Sequence, residues 1–266
     1  MKNKVSILSQ LLVVSMTLLL AHNTYASSEQ LNAEELMGKR KQHNSGWRSS
    51  EVALNMVLTM SNGQQSTRSL RAKALEVIGD GDKSLSVFDT PRDVSGVAFL
   101  NHSHVGKLDN QWLYLPSLKR VKRISSNNKS SSFMGSEFSY EDMSSFEVEK
   151  YTYGSAVIAE LEGKQVYVVE SIPKAKSSGY SKLKTWLDTT HYQPLKVEFF
   201  DKRGGLLKNL ALSGYKKYDN GVWRAHQLRM KNIQNARETE LSYQPFNFNI
   251  VLNDKDFNKN VLKRVR

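Results

Sequence analysis

The chain has 266 residues, and its 38 lysines and arginines outnumber its 26 acidic residues, so the formal net charge is +12. It contains no cysteine, which excludes disulfides, thiolate zinc sites and the lipid-modified cysteine of a bacterial lipoprotein. An excess of positive charge is typical of proteins that bind nucleic acid, anionic membrane head groups or acidic protein surfaces.

The first 26 residues have the pattern of a secretory signal peptide. Lys2 and Lys4 precede an apolar stretch over residues 5–20, and Thr24 and Ala26 are small residues at the cleavage positions. A retained membrane anchor would need about 20 apolar residues, and a histidine and an asparagine interrupt this stretch at positions 22 and 23. We therefore expect residues 1–26 to be removed and the protein to be periplasmic, which leaves no nucleic acid among its expected partners.

A helix is predicted over roughly residues 29–43. Ser27 and Ser28 offer N-cap hydroxyls, and glutamates early in the segment and basic residues late in it match the helix dipole. We expect this helix to cover one end of a sheet. Shorter helical turns are predicted over residues 90–96, 133–144 and 253–262.

Most of the remaining chain alternates apolar and polar residues, as half-buried strands do. In residues 52–60, Leu54, Met56 and Leu58 share one face, which we expect to point inward. Similar runs, bounded by turn residues, cover residues 67–78, 83–88, 97–101, 111–115, 119–124, 155–161, 164–172, 180–188, 194–201, 206–218, 222–232 and 237–246. Successive strands without intervening helices predict a mainly β, antiparallel fold in a single domain, residues 27–266.

Two adjacent segments are the most informative part of the chain. Residues 111–124 read QWLYLPSLKRVKRI, an amphipathic strand, a proline turn and a basic ribbon. Residues 132–142 read SFMGSEFSYED, a flexible loop that carries large apolar side chains. A solvent-exposed loop is an unfavourable place for such groups unless they cover an apolar surface.

These segments resemble the outer-membrane lipoprotein-sorting proteins of the LolA/LolB-like superfamily, in particular the branch associated with RND-type exporters. Residues 87–100, 185–188, 193–198 and 201–204 extend the resemblance over about residues 30–250. The resemblance implies one curved antiparallel sheet that forms an incomplete (half) β-barrel, with an N-terminal helix and a short helical lid over an apolar interior. It also implies a carrier of lipid or lipoprotein acyl chains with an exporter or outer-membrane receptor as partner.

Several residues are candidates for the interior or lid of such a carrier. The methionines would form an adaptable lining, although ordinary core packing explains them equally well. The candidates are Leu54, Met56, Leu58, Trp112, Tyr114, Phe133, Met134, Phe138, Tyr140, Phe199 and Met230. In the strand over residues 111–115, Trp112 and Tyr114 share one face and Leu113 and Leu115 the other, so only one pair can face a cavity.

The loop aromatics allow two interpretations. Phe133, Met134, Phe138 and Tyr140 form either a hydrophobic flap at the mouth of a cavity or a loop buried in the core. We expect a flap that gates or borders the cavity, so that replacing Phe133, Met134 and Phe138 by serine leaves the thermal transition nearly unchanged. Both interpretations remain open at this stage.

Four cations follow the proline turn: Lys119, Arg120, Lys122 and Arg123. They form either a docking site for an acidic partner or anionic head group, or an edge strand protected from aggregation by its charges. Transient membrane contact is compatible with the first interpretation.

Signals for catalysis are weak. His102 and His104 share a strand face, but no third ligand stands at a recognisable spacing. No serine lies in a nucleophile elbow, and the adjacent Glu141 and Asp142 need not converge on one substrate. We therefore predict no catalytic residue, metal or cofactor, and a periplasmic carrier or chaperone. The alternative is an accessory protein that docks on an RND-type exporter or envelope complex and carries no cargo.

Overall fold

The computed structural model describes residues 31–264. The predicted signal peptide, residues 1–26, lies outside this range. One α-helix, α1 (Ala33–His43), precedes the strands. The strands are β1 (Ser49–Thr59), β2 (Gln65–Leu75), β3 (Lys83–Thr90), β4 (Ala98–His102), β5 (Asn110–Leu115), β6 (Arg120–Ile124), β7 (Tyr151–Leu161), β8 (Lys164–Pro173), β9 (Lys182–Asp188), β10 (Pro194–Phe200), β11 (Leu206–Ser213), β12 (Lys216–Lys217), β13 (Trp223–Arg224), β14 (Gln227–Asn232), β15 (Glu238–Tyr243) and β16 (Asn247–Phe248).

One large antiparallel sheet contains nearly all of these strands. Its order is β6-β5-β4-β3-β2-β1-β15-β14-β11-β10-β9-β8-β7, with β16 paired to β1, while β12 and β13 form a separate hairpin. The chain therefore runs from the middle of the sheet to the β6 edge, crosses through residues 125–150 to the β7 edge, and returns to the middle. Within the described residues no strand pairing joins β6 to β7, so the sheet curves without closing. This confirms the predicted mainly β, half-barrel fold.

The alternation in β1 shows why its sequence forms a central strand. Leu54, Met56 and Leu58 are buried on one face, whereas Ala53 and Asn55 on the other face are exposed. β1 pairs with β15 on one side and with β2 on the other. The inward orientation predicted for the three apolar residues is therefore the one observed.

The two faces of the sheet carry different cores. The inner face holds one cluster that joins Phe88 of β3 to Phe199 of β10, which brings the two halves of the curved sheet together. On the outer face, Leu85, Leu100 and neighbouring residues of β3–β5 pack against Phe257 and Leu262 from the C-terminal turns.

Helix α1 lies over β8 and β9, where Leu36 and Met37 pack with Val169 and Leu187. Its N-cap is Asn32, whose side chain accepts a hydrogen bond from the backbone amide of Glu35. The helix therefore begins later than predicted, and the expected serine caps lie outside the described residues. Among residues 31–264, no helix is sufficiently long and apolar to cross a bilayer.

The predicted strand over residues 206–218 is interrupted in the structure. It ends at Ser213, and Gly214 follows with φ of 64°, a left-handed conformation that glycine adopts without steric cost. The chain then forms the short β12–β13 hairpin before β14. The other predicted runs each contain a strand.

Candidate ligand-binding cavity

A cavity of about 490 Å³ lies on the inner face of the β8–β14 half of the sheet. This volume falls within the range of about 300–1,000 Å³ found for small-molecule sites. Its floor is mostly apolar because inward-facing residues of four strands meet there. These residues are Leu183, Thr185, Val197, Phe199, Leu210, Leu228 and Met230.

Other walls of the cavity come from outside the sheet floor. Met37 and Arg40 of α1 line it, as do Gly106–Leu108 between β4 and β5 and parts of the segment between β8 and β9. Lys107, Leu108 and Lys174 are exposed at this rim. The cavity is thus bounded by one helix and two loops, which are more easily displaced than sheet strands.

Residues 125–150, hereafter the strap, cross the inner face from β6 to β7. Phe133, Phe138 and Tyr140 of the strap are buried in the inner cluster. The ring of Phe133 lies 5.1 Å from that of Phe99 and 5.6 Å from that of Tyr140, both with edge-to-face geometry. Such aromatic pairs stabilise a core beyond the area that they bury. The strap therefore fills the β1–β6 half of the inner face and borders the cavity with its later residues.

A buried ion pair fastens the strap to the floor. Lys208 of β11 and Asp142 of the strap are 5% and 6% exposed, and the Lys208 Nζ lies 2.6 Å from Asp142 Oδ2. The same ammonium donates to the Glu137 carbonyl oxygen at 2.9 Å. Tyr180 donates its hydroxyl hydrogen to Asp142 Oδ1 at 2.7 Å, and burial, followed by the negative charge of Asp142, raises the pKa of Tyr180.

Further polar contacts hold the strap near the cavity mouth. Gln111 Nε2 donates to the Tyr140 carbonyl oxygen at 2.7 Å. Asp109 accepts a hydrogen bond from Lys150 at 2.9 Å and lies 3.8 Å from Lys129. Burial disfavours the charge of Asp109, but the two ammonium groups outweigh burial and lower its pKa. The strap is therefore held in place by packing and by charges.

The structure separates the predicted interior residues into three groups. Cavity-lining residues are Phe138, Phe199 and Met230. Residues that belong to the inner cluster away from the cavity wall are Leu54, Met56, Leu58, Phe133, Met134 and Tyr140. Trp112 and Tyr114 pack instead in the outer cluster, and Leu113 and Leu115 take the inner positions.

The burial of the strap aromatics combines the two interpretations that the sequence left open. Phe133 is fully buried, as a core residue is, whereas Phe138 is buried and also lines the cavity. A serine at these positions therefore costs core packing, so we now expect the triple substitution to lower the thermal transition.

Several cavity residues were absent from the sequence-based list. Val197 and Leu183 follow the same alternation as Phe199, and this pattern was available in the sequence. Arg40 had no comparable signal, because a basic residue in the last turn of a helix is explained by the helix dipole alone.

The four predicted docking cations do not line the cavity. Lys119, Arg120, Lys122 and Arg123 are all exposed on or beside the edge strand β6. Arg123 donates to Asn110 Oδ1 at 2.6 Å. They form a separate basic surface, hereafter the β6 cations.

The two histidines that the sequence suggested as a metal pair have different partners. His102 Nε2 lies 2.8 Å from the Phe257 carbonyl oxygen, and His104 Nδ1 lies 2.7 Å from Asp80 Oδ2. In the described part of the chain, no group of three or more histidine or acidic residues is placed to hold a metal ion.

Comparison with known proteins identifies the family. A family model described as an uncharacterized protein matches residues 80–264. A structure from Vibrio parahaemolyticus, described as an outer membrane lipoprotein-sorting protein domain, is 53% identical and has a TM-score of 0.85, over 87% of this chain and 98% of that one. The chain belongs to the outer-membrane lipoprotein-sorting family of the LolA/LolB-like superfamily. The resemblance seen in the sequence is thereby confirmed.

Other family structures share the architecture. A DUF1329 family protein from Desulfovibrio piger is 28% identical with a TM-score of 0.82, over 86% of this chain and 97% of that one. A LolA superfamily protein from Nitrosomonas europaea is 19% identical with a TM-score of 0.68, over 86% and 99%, and supports the fold alone. No curated protein matches the chain.

Proposed function

We propose that this protein is a periplasmic carrier that encloses an acyl chain of a lipid or lipoprotein and passes it to an envelope partner. The observation that carries the proposal is the cavity of about 490 Å³ with an apolar floor. The support from comparison is the 53% identity with a domain described as lipoprotein-sorting. In this proposal residues 1–26 act as a signal peptide, residues 27–266 form the mature carrier, and no catalytic step is involved.

The binding energy would come from removing methylene groups from water. Each buried methylene contributes about 0.8 kcal/mol, so about eight of them contribute roughly 6 kcal/mol. This is enough for reversible, non-covalent enclosure and too little for irreversible capture. Release would then require a competing apolar site in a receptor, an exporter or a membrane.

Filling the cavity provides a direct test. Val197 lies on the cavity floor, whereas Val157 is exposed on β7. Val197→Trp should abolish binding of a fluorescent fatty acid, because the indole occupies the space of the acyl chain. Val157→Trp is the matched control and should bind as wild type does. Equal binding by both variants, with both folded by circular dichroism, would exclude the cavity as the site.

A second experiment asks what the protein carries in the cell. Protein purified from its own envelope should release an amphiphile in near-stoichiometric amount when native mass spectrometry is followed by lipid extraction. Recovery of the protein without any amphiphile, after mild purification, would favour a docking role without cargo.

That second candidate is an accessory protein that docks on an RND-type exporter or an outer-membrane receptor. The exposed β6 cations favour it, because a basic edge suits an acidic protein surface. In that case, neutralising these cations should abolish capture of the partner, while the cavity-filling substitution should have no effect on the cellular phenotype. The two candidates therefore differ in which of these variants loses function.

A further inference from the structure

Arg40 occupies an unusual position in the cavity wall. It lies in the last turn of α1 and lines the cavity. Its guanidinium carbon lies 4.0 Å from the centroid of the Phe146 ring. Within the described residues, the Arg40 side chain makes no hydrogen bond or ion pair. All five of its N–H donors are therefore directed at aromatic surface or at the cavity.

An arginine in this setting is unfavourable for the protein alone. Burial lowers the pKa of Arg40, and the polar rings of Tyr215, Tyr151 and Tyr153 oppose the shift only in part. Arginine nevertheless remains charged at neutral pH. A desolvated charge is normally paired with an opposite charge, and the described part of the chain supplies none here.

Arg224 shows the usual solution in the same protein. Burial also lowers its pKa, to about 10, but Arg224 donates to Asn44 Oδ1 and to the Trp223 carbonyl oxygen. The contrast indicates that the free donors of Arg40 are a specific property of the cavity wall rather than a general feature of buried arginines in this fold.

Ser171 provides a second, independent observation. It lines the same cavity, is 2% exposed, and its hydroxyl has no hydrogen-bond partner within the described residues. Ser171 pairs in register with Tyr153, one of the tyrosines close enough to influence Arg40. A buried polar group without a partner loses stability, so Ser171 also lacks something that a ligand can supply.

The other charges around the cavity leave a positive balance. The buried or half-buried acids have partners: Asp142 with Lys208, Asp109 with Lys150, and Glu141 with the hydroxyl of Ser178 and the amide of Gly179. The exposed rim carries Lys107, Lys174 and Glu149. A negatively charged ligand group would therefore meet Arg40 without a competing carboxylate in the interior.

We propose that the cavity selects anionic amphiphiles, with the acyl chain on the apolar floor and a carboxylate or phosphate group on Arg40. The planar guanidinium fork matches the oxygen pairs of either group and can bind them through two parallel hydrogen bonds. Ser171 would add one neutral donor. This inference rests on the proposed carrier function and adds the charge of the cargo to it.

Three single-chain amphiphiles test the inference on the full mature chain. Palmitate carries a carboxylate, palmitoyl-lysophosphatidylglycerol carries a phosphate, and monopalmitoylglycerol has the same chain without charge. Arg40→Gln should weaken binding of the anionic ligands by about 10- to 100-fold, as expected for a hydrogen bond to a charged group. Binding of monopalmitoylglycerol should change by less than about twofold, because its chain contacts are unaltered.

Matched variants separate charge at the cavity from charge in general. Lys39→Gln removes one positive charge from the same helix, at an ion pair with the exposed Glu35, and should bind all three ligands as wild type does. Arg40→Lys should show an intermediate loss, because an ammonium lacks the two-pronged geometry. Arg40→Gln should also keep the thermal transition of wild type, since no protein partner of Arg40 is lost.

The outcomes are distinguishable. If Arg40→Gln weakens the anionic and neutral ligands equally, or weakens neither, Arg40 is not the head-group site and the inference is overturned while the carrier proposal stands. If wild type binds palmitate and monopalmitoylglycerol equally, the cavity does not select charge. If wild type binds none of the three, both the carrier proposal and this inference fail. Preference for palmitate or for the phosphate ligand then identifies which anionic group the cavity takes.

Discussion

The buried ion pair between Lys208 and Asp142 should control how firmly the strap is held. In Lys208→Met the hydrocarbon stem is preserved, but the ammonium that bonds Asp142 at 2.6 Å and the Glu137 carbonyl oxygen at 2.9 Å is lost. The carboxylate of Asp142 then stays buried, with Tyr180 and the backbone amide of Ser139 as its remaining donors. Leaving one partner of a buried pair uncompensated costs about 3–5 kcal/mol.

We expect the lower part of this range, about 3 kcal/mol, because those two donors still stabilise the Asp142 carboxylate. For a domain of this size, such a loss lowers the melting temperature by roughly 6–12 °C. Urea denaturation measures the free energy of unfolding, and hydrogen exchange with mass spectrometry measures the local opening of the strap. Exchange should rise most over residues 129–145, since the pair fastens that segment to β11.

The double variant Lys208→Met/Asp142→Asn is the control. It removes the uncompensated charge, so it should be more stable than Lys208→Met, by about 1 kcal/mol or more. A loss below about 1 kcal/mol in the single variant, or no recovery in the double variant, would refute the idea that this pair clamps the strap. Increased exchange outside the strap alone would refute it equally.

Three further predictions concern the core, the basic edge and pH. Phe133→Ala should cost about 3–5 kcal/mol in urea unfolding, whereas Ala at the exposed Leu118 should cost less than about 0.5 kcal/mol; a small effect at Phe133 would mean that the strap core is loose. Replacing the β6 cations by glutamine should remove the salt dependence of partner or vesicle association, and an unchanged dependence would locate docking elsewhere. Burial raises the pKa of Asp82 to about 6, so its protonated form favours the folded state and its contribution to stability falls as pH rises from about 4 to about 6. Asp82→Asn should therefore stabilise by up to about 3 kcal/mol at pH 7.5 and by little near pH 4, and an equal effect at both pH values would contradict this assignment.

The strands could be predicted because their cause is local. In β1 the alternation of Leu54, Met56 and Leu58 with polar neighbours follows directly from the pleat of a strand, and the structure shows the same face buried. The separate hairpin of β12 and β13 could not be predicted in this way. Its neighbours Leu206–Ser213 are apolar and continuous with it in sequence, and the break depends on the conformation of Gly214.

The orientation of β5 shows a different limit. Both of its faces are apolar in sequence, so alternation cannot tell which one points inward. The decision comes from residues far along the chain, because Phe257 and Leu262 cover the outer face beside Trp112 and Tyr114. The pairing of Lys208 with Asp142 is similar, since 66 positions separate the two residues and only the crossing of the strap brings them together.

The position of the cavity follows from how the inner face is filled. Both halves of the curved sheet present apolar side chains inward, and an apolar face has to be covered by side chains or by a guest. The strap places Phe133 and Tyr140 against β3 and β4, so that half is packed. Over the β8–β14 half the strap contributes polar and charged residues, such as Asp142 and Ser144, and only Phe138 and Phe146 as large apolar groups. Helix α1 covers this half with Met37 and Arg40 and leaves space between itself and the floor. A cavity therefore remains where the strap runs out of aromatic residues, and the same sequence that closes one half of the sheet leaves the other half able to take an acyl chain.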